Sequence, residues 1–354
     1  MTRYLVTGGA GFIGSNFIRY ALAHHRQLTI VNVDLLTYAG QGNNLQDLEG
    51  SPRYRLVRAD VNDRAALRQA MAGCEAVIHF AAATHVDRSI TDPAPFLQTN
   101  VLGTAAVVET ARALQIPRLL HVSTDEVYGA CTAAHGFDEA APLRPTNPYA
   151  ASKASADLLV QAAVATHGVP ALIVRPANNF GPYQYPEKLI PLFITNALAD
   201  APLPVYGDGG HIRDWLHVED TCAALLIVLA RGRAGEAYNV SAESLTANLE
   251  VGRQILQMLG KPERLLQHVA DRPAHDRRYA MTAGKLRALG WAPRHPFDLA
   301  LRETVDWYQG HPAWWRPLKE RLRADPYHWL DRPAGPGGGR PAPALTHGHP
   351  SRPA

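Results

Sequence analysis

Two acidic residues, Asp125 and Glu126, stand side by side shortly after an apolar run that ends at Ser123. Such a pair can divide acid and base work: one group protonates a leaving hydroxyl while the other removes a proton from carbon. This is the chemistry of dehydration. Folding alone offers another interpretation, because Asp125 is a suitable helix N-cap and a solvated turn tolerates both charges. The catalytic interpretation is favoured because a second reactive pair follows in the sequence.

Tyr149 and Lys153 form this second pair, in the pattern YxxxK. One helical turn separates them, so both project from the same helix face. An ammonium beside a phenol lowers the pKa of the phenol, which would let Tyr149 act as a base toward a sugar hydroxyl. A solvated helix face is the alternative interpretation. The residues predicted to be catalytic are Thr124, Asp125, Glu126, Tyr149 and Lys153.

Three glycines near the N-terminus, Gly8, Gly11 and Gly14, follow a strand-like run and open a helix-like one. Glycine permits a tight turn, the close approach of a pyrophosphate to the backbone, and the packing of helix on strand. Asp34 ends the next strand-like run about twenty residues later, where an acid binds the adenosine ribose hydroxyls and repels the extra phosphate of NADP. Asp60 follows the third strand, near the expected adenine position. The sequence therefore predicts an NAD site.

The elements that must position these residues alternate between β-branched runs and longer amphipathic segments. The predicted strands are Tyr4–Thr7, Thr29–Val33, Tyr54–Arg58, Ala76–Phe80, Leu119–Ser123 and Ala171–Arg175. The predicted helices are Ile13–Ala23, Arg64–Ala72, Gly103–Leu114 and Ser152–Thr166. This alternation predicts an α/β fold of the Rossmann type, a doubly wound parallel sheet whose ligands bind at the carboxyl ends of the strands.

Prolines interrupt the pattern after Pro176, which is typical of a smaller lobe made of short elements. We predict an NAD-binding Rossmann domain with the catalytic residues over 1–176. A smaller α/β substrate lobe is predicted over 177–331, with some elements returning to the large domain. The Pro/Gly-rich segment 332–354 lacks apolar periodicity and is predicted to be a disordered tail.

Composition argues against several classes of partner. Lys and Arg number 35 against 32 Asp and Glu, a net charge of +3 that is too balanced to favour nucleic acid. The three cysteines, Cys74, Cys131 and Cys222, are too far apart for a CxxC metal site or a disulfide framework, and we expect no metal. No signal peptide and no bilayer-spanning apolar stretch are visible, so we expect a soluble, cytoplasmic protein without membrane contact.

Together these features resemble the nucleotide-sugar 4,6-dehydratases of the extended short-chain dehydrogenase/reductase superfamily, over about Tyr4 to Tyr308. The acid pair separates this resemblance from simple reductases and 4-epimerases, which have no need of it. The matching segments are Val6–Gly14, Asp34–Gly40, His85–Ile90, Ser123–Gly129, Asn178–Gln184, Pro186–Pro191, Arg213–Leu216 and Arg272–Asp276.

The resemblance implies oxidation at C4 of the sugar, loss of water across C5 and C6, and reduction at C6, with tightly bound NAD regenerated in each turnover. It implies that Thr124 hydrogen-bonds O4 and that Tyr149 takes the O4 proton. Glu126 would remove the C5 proton, and Asp125 would protonate the departing C6 hydroxyl. Lys153 would hold the nicotinamide ribose.

The resemblance also assigns ligand-binding residues. Those for NAD are Gly8, Gly11, Phe12, Ile13, Gly14, Asp34, Leu36, Thr37, Asp60, Val61, Phe80, Ala81, Ala82, Thr84, Thr99, Ser123, Tyr149, Lys153 and Asn178. Those for the nucleotide-diphosphate sugar are Thr84, His85, Thr124, Asn179, Lys188, Leu189, Pro204, Tyr206, Arg213, Asn248, Arg272 and His275. Arginine suits a diphosphate because its forked donors match phosphate oxygens. A homodimer that pairs the helices Gly103–Leu114 and Ser152–Thr166 is expected as well.

Three positions depart from the usual family pattern. Ala83 stands where glutamate is usual, Ala274 where glycine is usual, and Phe180 where tyrosine is usual. The first is expected to alter the sugar pocket and the second to shift the loop beside His275. We expect dTDP-glucose as the substrate, although a dehydratase acting on UDP-glucose or another nucleotide hexose would show the same acid pair. A nucleotide-sugar 4-epimerase or decarboxylase and a non-catalytic NAD-binding protein are the other interpretations, and the acid pair argues against them.

Overall fold

The structure is a computed structural model, and it describes residues 2–38, 40 and 42–323. The predicted tail over 332–354 lies outside these residues. All six predicted strands and all four predicted helices are present in the described part. The largest error in an element boundary is at Pro148–His167, where the helix begins four residues before the predicted Ser152. Asn147 caps this helix and Pro148 occupies its first turn, a common way for a helix to begin.

Short strands are spread over the whole described chain. They are β1 Thr2–Thr7, β2 Leu28–Asp34, β3 Tyr54–Arg58, β4 Ala76–His79, β5 Leu119–Val122, β6 Ala171–Pro176, β7 Asn178–Phe180, β8 Leu203–Tyr206, β9 Ile212–His217, β10 Ala237–Val240, β11 Leu245–Ala247 and β12 Leu266–Val269. The helices are α1 Phe12–His24, α2 Arg64–Met71, α3 Val86–Thr91, α4 Ala94–Phe96, α5 Gly103–Ala113, α6 Pro148–His167, α7 Leu189–Leu198, α8 Val218–Arg231, α9 Asn248–Leu259, α10 Gly284–Ala288, α11 Phe297–Gly310 and α12 Pro312–Arg323.

A seven-stranded parallel sheet, in the order β10-β6-β5-β4-β1-β2-β3, forms the centre of the described residues. Alternate residues of a strand point to opposite faces, so the neighbours Leu5 and Val6 enter different cores. Leu5 packs in a core with α2, α5 and α6, and Val6 in a core with α1 and α8. The predicted doubly wound Rossmann-type fold is therefore confirmed.

The direction of the strand order changes at β1, and this reversal creates the crevice of the site. β2 and β3 lie on one side of β1, whereas β4, β5 and β6 lie on the other. Loops that leave adjacent strands in opposite directions open a crevice at the carboxyl edge of the sheet. The loops after β1 and β4 meet at this point, with Gly8 packed against the backbone of Ala81.

Residues after Pro176 form the smaller elements that the prolines predicted. β11, β9 and β7 make a three-stranded mixed sheet, and β8 and β12 pair in parallel. Helices α7, α9, α11 and α12 surround a third apolar core that includes Phe193, Ile255 and Leu301. β10 returns to the central sheet beside β6. Within the described residues, no helix combines the length and the hydropathy needed to cross a bilayer.

Candidate active site

Close packing requires glycine at two positions of the N-terminal loop. Gly8 has a φ of +70°, and a Cβ built there would lie 2.6 Å from the backbone nitrogen of Ala81. A Cβ at Gly14 would lie 2.5 Å from the carbonyl oxygen of Gly8. A Cβ built at Gly11 has a looser contact, because it would lie 3.2 Å from that same carbonyl oxygen of Gly8. A side chain at Gly11 would therefore need only a small shift of the Gly8 carbonyl, and the approach of a ligand to this backbone is a second reason for glycine here.

The N-terminus of α1 is open to an anion. Gly11 is its N-cap, and among the described residues no side chain caps the helix. The first turn, which begins at Phe12, carries no acidic residue. Because the helix dipole and the first N–H groups attract negative charge, this terminus fits the pyrophosphate of a dinucleotide.

Asp34 holds the two loops that flank this terminus. It is buried at the end of β2, where Oδ2 accepts from the backbone N–H of Ala10 at 2.9 Å and Oδ1 accepts from that of Leu36 at 2.8 Å. Burial raises the pKa of this carboxyl group. Each oxygen keeps lone-pair capacity for a ribose hydroxyl. Asp34 thus fits its predicted role and also determines the shape of the predicted cofactor loop.

The other predicted cofactor residues follow strands at the same sheet edge or lie on the helices beside it. Asp60 and Val61 come after β3, and the oxygen Oδ1 of Asp60 accepts from Asn62. The remaining predicted cofactor residues at this edge are Phe12, Ile13, Leu36, Thr37, Phe80, Ala81, Ala82, Thr84, Thr99, Ser123 and Asn178. The residues present therefore fit a bound dinucleotide along the carboxyl edge of the sheet.

The acid pair lies on a short 3₁₀ turn, Asp125–Tyr128, directly after β5. The N-cap of this turn is Thr124, so the alternative that Asp125 is a structural N-cap is wrong. The Thr124 hydroxyl accepts from the N–H of Glu126 at 3.3 Å and donates to Asp125 Oδ1 at 3.1 Å. Burial, followed by the charge of Glu126, raises the pKa of Asp125 to about 8. Asp125 is therefore protonated at neutral pH and suited to act as an acid.

Glu126 has more polar surroundings than its neighbour. It is half-buried, and its Oε2 accepts from Asn147 Nδ2 at 3.3 Å. The Tyr279 hydroxyl lies 3.4 Å from the same oxygen. Asn147 also accepts from the N–H of Ala150 at 2.8 Å as the N-cap of α6. Two carboxyl groups in such different surroundings are suited to opposite roles, one acid and one base.

Tyr149 and Lys153 are buried on α6 as predicted, but the lysine does not act on the phenol as expected. The Lys153 ammonium donates to the carbonyl oxygen of Val122 at 2.8 Å, and burial lowers its pKa to about 8. The pKa of Tyr149 is raised, first by burial and then by the charge of Glu126. The predicted lowering of the Tyr149 pKa is therefore wrong for the protein without cofactor, where burial is the largest influence and raises it.

A buried network behind Lys153 was missed by sequence reasoning. Asp157, one turn along α6, accepts from Arg175 Nε at 2.9 Å. Arg175 also donates to the Tyr128 hydroxyl at 2.7 Å, and this hydroxyl donates to Asn239 at 2.8 Å. The four-residue spacing between Lys153 and Asp157 could have indicated that Asp157 lies on the same helix face as Lys153. No sequence pattern indicated that Arg175 on β6 would join this network.

Cationic residues from distant segments line the predicted substrate side. Arg213 is buried, donates to the carbonyl oxygen of Asp276 at 2.9 Å and lies over the Tyr279 ring at 4.2 Å. Arg272 lies 3.7 Å from the Asp87 carboxylate. Lys188 donates to the carbonyl oxygen of Thr84 at 3.0 Å. The cationic predicted substrate ligands Lys188, Arg213 and Arg272 therefore come together from three parts of the chain.

Most other predicted substrate residues lie along this cationic side. Leu189 and Asn248 begin α7 and α9, Pro204 and Tyr206 lie on β8, and His85 caps α3. Asn179 differs, because its Nδ2 donates to Ala177 O at 2.9 Å and its Oδ1 accepts from Thr221 at 2.6 Å. Its side chain already has internal partners, so its predicted contact with substrate is the least supported by the geometry.

One group of described side chains, His211, Asp271 and His275, has the spacing of a metal site. His275 Nδ1 lies 2.6 Å from the Asp271 carboxylate, and the two imidazole rings stack at 3.6 Å. Burial and the charge of Arg272 lower the pKa of His275. Because this guanidinium repels cations and attracts anions, the position favours a phosphate over a metal ion.

The departure at Ala83 lies beside Tyr149, the tyrosine predicted to be catalytic. Asn100, on a π-helical segment before α5, accepts from Ala83 N at 2.8 Å and donates to Ala83 O at 3.0 Å. The Ala83 side chain packs against Val86, Phe96 and Tyr149. A carboxylate is therefore replaced by part of an apolar wall, which shields the phenol from water.

The other two departures lie in a loop beside His275 and in the apolar core. Ala274 has a φ of +51°, the left-handed conformation that glycine adopts freely. An L-residue pays roughly 1–2 kcal/mol for it, so the loop beside His275 retains a glycine-like backbone under strain. Phe180 is fully buried against Trp215, His217 and Phe297, where a hydroxyl would need a polar partner.

Gly11 and Gly14 should respond differently to substitution by alanine. We expect Gly11→Ala to fold with a stability near that of the unchanged protein but to bind NAD at least about tenfold more weakly, a loss of about 1.4 kcal/mol. We expect Gly14→Ala to lose about 1–3 kcal/mol of unfolding free energy, because its Cβ overlaps the loop backbone. Urea unfolding and calorimetric titration with NAD measure both. An unchanged NAD affinity in Gly11→Ala would contradict the assignment.

The geometry agrees with known proteins along most of the chain. The family model described as GDP-mannose 4,6 dehydratase matches residues 5–304. The dTDP-glucose 4,6-dehydratase of Streptomyces niveus is 47% identical over 324 residues, which cover 90% of this chain and 96% of that protein. The solved structure of DesIV, a dTDP-glucose 4,6-dehydratase from Streptomyces venezuelae with NAD and dTDP bound, is similar at a TM-score of 0.87 and 45% identity, covering 90% of this chain and all 100% of that one. The chain therefore belongs to the nucleotide-sugar 4,6-dehydratase family.

Proposed function

We propose that this chain is a dTDP-glucose 4,6-dehydratase, which converts dTDP-glucose to dTDP-4-keto-6-deoxyglucose and water. The observation that carries the proposal is the acid pair, in which Asp125 is buried and protonated at neutral pH while Glu126 accepts from Asn147 and contacts the Tyr279 hydroxyl. NAD, when bound, accepts the C4 hydride and returns it at C6. The protein residues move the protons that accompany these transfers.

The O4 proton is assigned to Tyr149, with Thr124 as the hydrogen-bond partner of O4. Burial and Glu126 keep the pKa of Tyr149 high in the protein alone. Bound NAD would supply a positive charge that favours the phenolate, and Lys153, buried on the same helix, would add a second one. Tyr149 therefore becomes a base when the cofactor is in place.

The water-loss step uses the acid pair. Oxidation at C4 acidifies the C5 proton, which Glu126 removes. Asp125, already protonated, donates to the C6 hydroxyl as it leaves. Their adjacency on one short turn supports assigning the two groups to neighbouring carbons of the same sugar. A 4-epimerase needs no such pair, and a non-catalytic protein would not retain a protonated acid beside a base.

The diphosphate is assigned to Arg213 and Arg272, whose guanidinium groups lie close enough to repel each other. A bound diphosphate would neutralise that repulsion. UDP-glucose remains the second candidate, since it carries the same diphosphate and the same sugar.

We also propose a cytoplasmic homodimer. The three cysteines lie within the described residues as free, buried thiols, which suits a reducing compartment. Leu97 and Leu102, on the π-helical segment before α5, are 53% and 54% exposed, and Leu158 on α6 is 56% exposed. α6 packs against this segment, so we assign the three exposed leucines to the apolar face that a second copy covers.

Turnover of sugar nucleotides tests the proposed function. We expect the purified protein, incubated without added reductant, to convert dTDP-glucose to a 4-keto-6-deoxy product, detected by mass spectrometry and NMR. UDP-glucose, GDP-mannose and CDP-glucose are the comparison substrates. A 4-epimerised sugar, or no turnover of dTDP-glucose, would contradict the proposal.

Asp125→Asn separates the chemical steps. We expect oxidation at C4 to survive, so that reduced cofactor accumulates on the enzyme, while water loss slows by at least about a hundredfold because the proton donor is gone. Rapid-mixing absorbance and product analysis measure the two steps. Tyr149→Phe is the control, since it should block oxidation and accumulate no reduced cofactor. Equal loss of both steps in Asp125→Asn would remove the proposed role.

The same variant should change the pH dependence of stability. Asp125 has a pKa of about 8 in the native protein, whereas in the unfolded chain it has the ordinary aspartate pKa of 3.8. Unfolding free energy from this group therefore falls as pH rises between these values, by up to about 1.4 kcal/mol per pH unit. We expect Asp125→Asn to gain stability relative to the unchanged protein from pH 5 to pH 8, measured by urea unfolding. A constant difference would contradict the raised pKa.

Substitution at the leucine face tests the homodimer. We expect the unchanged protein to have twice its chain mass of 38.6 kDa in light scattering, and Leu158→Arg to shift it toward the monomer. Leu299→Arg is the matched control, because Leu299 is 63% exposed on α11, a different element. A monomeric unchanged protein, or dissociation caused by both variants alike, would count against this face.

A further inference from the structure

A hydrogen-bonded chain of side chains leads from Glu126 to the protein surface. The Tyr279 hydroxyl lies 3.4 Å from Glu126 Oε2 and donates to Asp276 Oδ2 at 2.8 Å. The Thr146 hydroxyl donates to the same oxygen of Asp276 at 2.5 Å. Tyr279 and Asp276 are buried, whereas Thr146 is exposed. The chain therefore crosses the wall of the site in a few short steps.

The two distances at Tyr279 differ for a simple reason. A phenol has one proton to donate, and here two carboxyl groups compete for it. The proton lies on the Asp276 side, where the contact is shorter, so the contact with Glu126 is long. Once Glu126 carries a proton of its own, it becomes a donor, and the lone pair of the Tyr279 oxygen becomes its acceptor. Protonation of Glu126 thus completes the chain.

We propose that Tyr279 relays the proton that Glu126 takes from C5 to Asp276, and that this proton exchanges with solvent beside Thr146. The proposal rests on the proposed function, in which Glu126 is the C5 base. The O–H bond of protonated Glu126 breaks as a new one forms on Tyr279, and the original Tyr279 O–H bond breaks as one forms on Asp276. The negative charge moves from Asp276 to Glu126, and no redox change occurs.

The surroundings of Tyr279 suit transfer through a neutral phenol. Burial, and then the charge of Glu126, raise the pKa of Tyr279, so a free phenolate is disfavoured and each proton must leave as another arrives. The Arg213 guanidinium over the ring fixes the position of the hydroxyl. Tyr279 acts on the substrate through Glu126, and its substitution by Phe keeps the ring under Arg213.

The isotope content of C5 in the product distinguishes a relay from a structural role. Without the relay, Glu126 returns to C5 the same hydrogen that it removed; with the relay, that hydrogen exchanges with solvent before it returns. In D2O, we expect the product of the unchanged enzyme to carry deuterium at C5. We expect Tyr279→Phe and Asp276→Asn each to lower that deuterium fraction about threefold or more per turnover, whatever their effect on kcat.

Short incubations, with C5 deuterium read by NMR and mass spectrometry, provide the measurement, and product incubated in D2O without enzyme gives the background exchange. Tyr128→Phe is the matched control, because its buried hydroxyl bonds to Arg175 and Asn239 and not to Glu126. Its C5 label should equal that of the unchanged enzyme. An unchanged label in Tyr279→Phe, even with reduced kcat, would overturn the relay alone. If the unchanged enzyme turns over none of the four sugar nucleotides, Glu126 has no C5 proton to pass, and the relay falls together with the proposed function.

Discussion

Two carboxyl groups on adjacent residues cannot both be fully charged in a pocket that excludes water. The structure resolves this conflict by placing the pair in unequal surroundings. Asp125 is 4% exposed, and burial together with the charge of Glu126 keeps it protonated at neutral pH. Glu126 is half-buried and has Asn147 and Tyr279 as hydrogen-bond partners. The proposed acid and base roles thus rest on a difference in solvation, since the two groups are chemically almost the same.

The side chain of Asn147, which donates to Glu126, also connects this carboxyl group to the rest of the site. Asn147 caps α6 with its oxygen and donates to Glu126 with its nitrogen, so the start of the helix is fixed relative to the base. That helix carries Tyr149, while Lys153 reaches back to the carbonyl oxygen of Val122 at the end of β5. One set of hydrogen bonds therefore sets the positions of the acid pair, the phenol and the ammonium. A shift of α6 would disturb all of them together.

The sequence predicted the parts of the site whose residues are close together in the chain. Adjacency brings Asp125 to Glu126, and helical spacing brings Tyr149 to Lys153. Tyr279 reaches Glu126 across 153 residues of chain, and no period or motif reports a contact of that kind. The sequence also did not predict how deeply each side chain is buried. It reverses the expected effect on the phenol of Tyr149, because desolvation depends on the packing of the whole site and not on the nearest lysine.

The same connection between distant segments holds the cofactor loop. Asn44 donates to the carbonyl oxygen of Ala10 in the glycine loop at 2.9 Å, and Trp314 of α12 donates to Asn44 at 3.0 Å. The neighbouring Trp315 is buried in the core of the smaller lobe. Opening the glycine loop would therefore break contacts of the lobe to which we assign the sugar nucleotide. A cofactor that is consumed must be exchanged in every turnover, whereas a recycled cofactor is exchanged rarely. The contacts between the glycine loop and the smaller lobe therefore favour a dinucleotide that stays bound as a catalytic group.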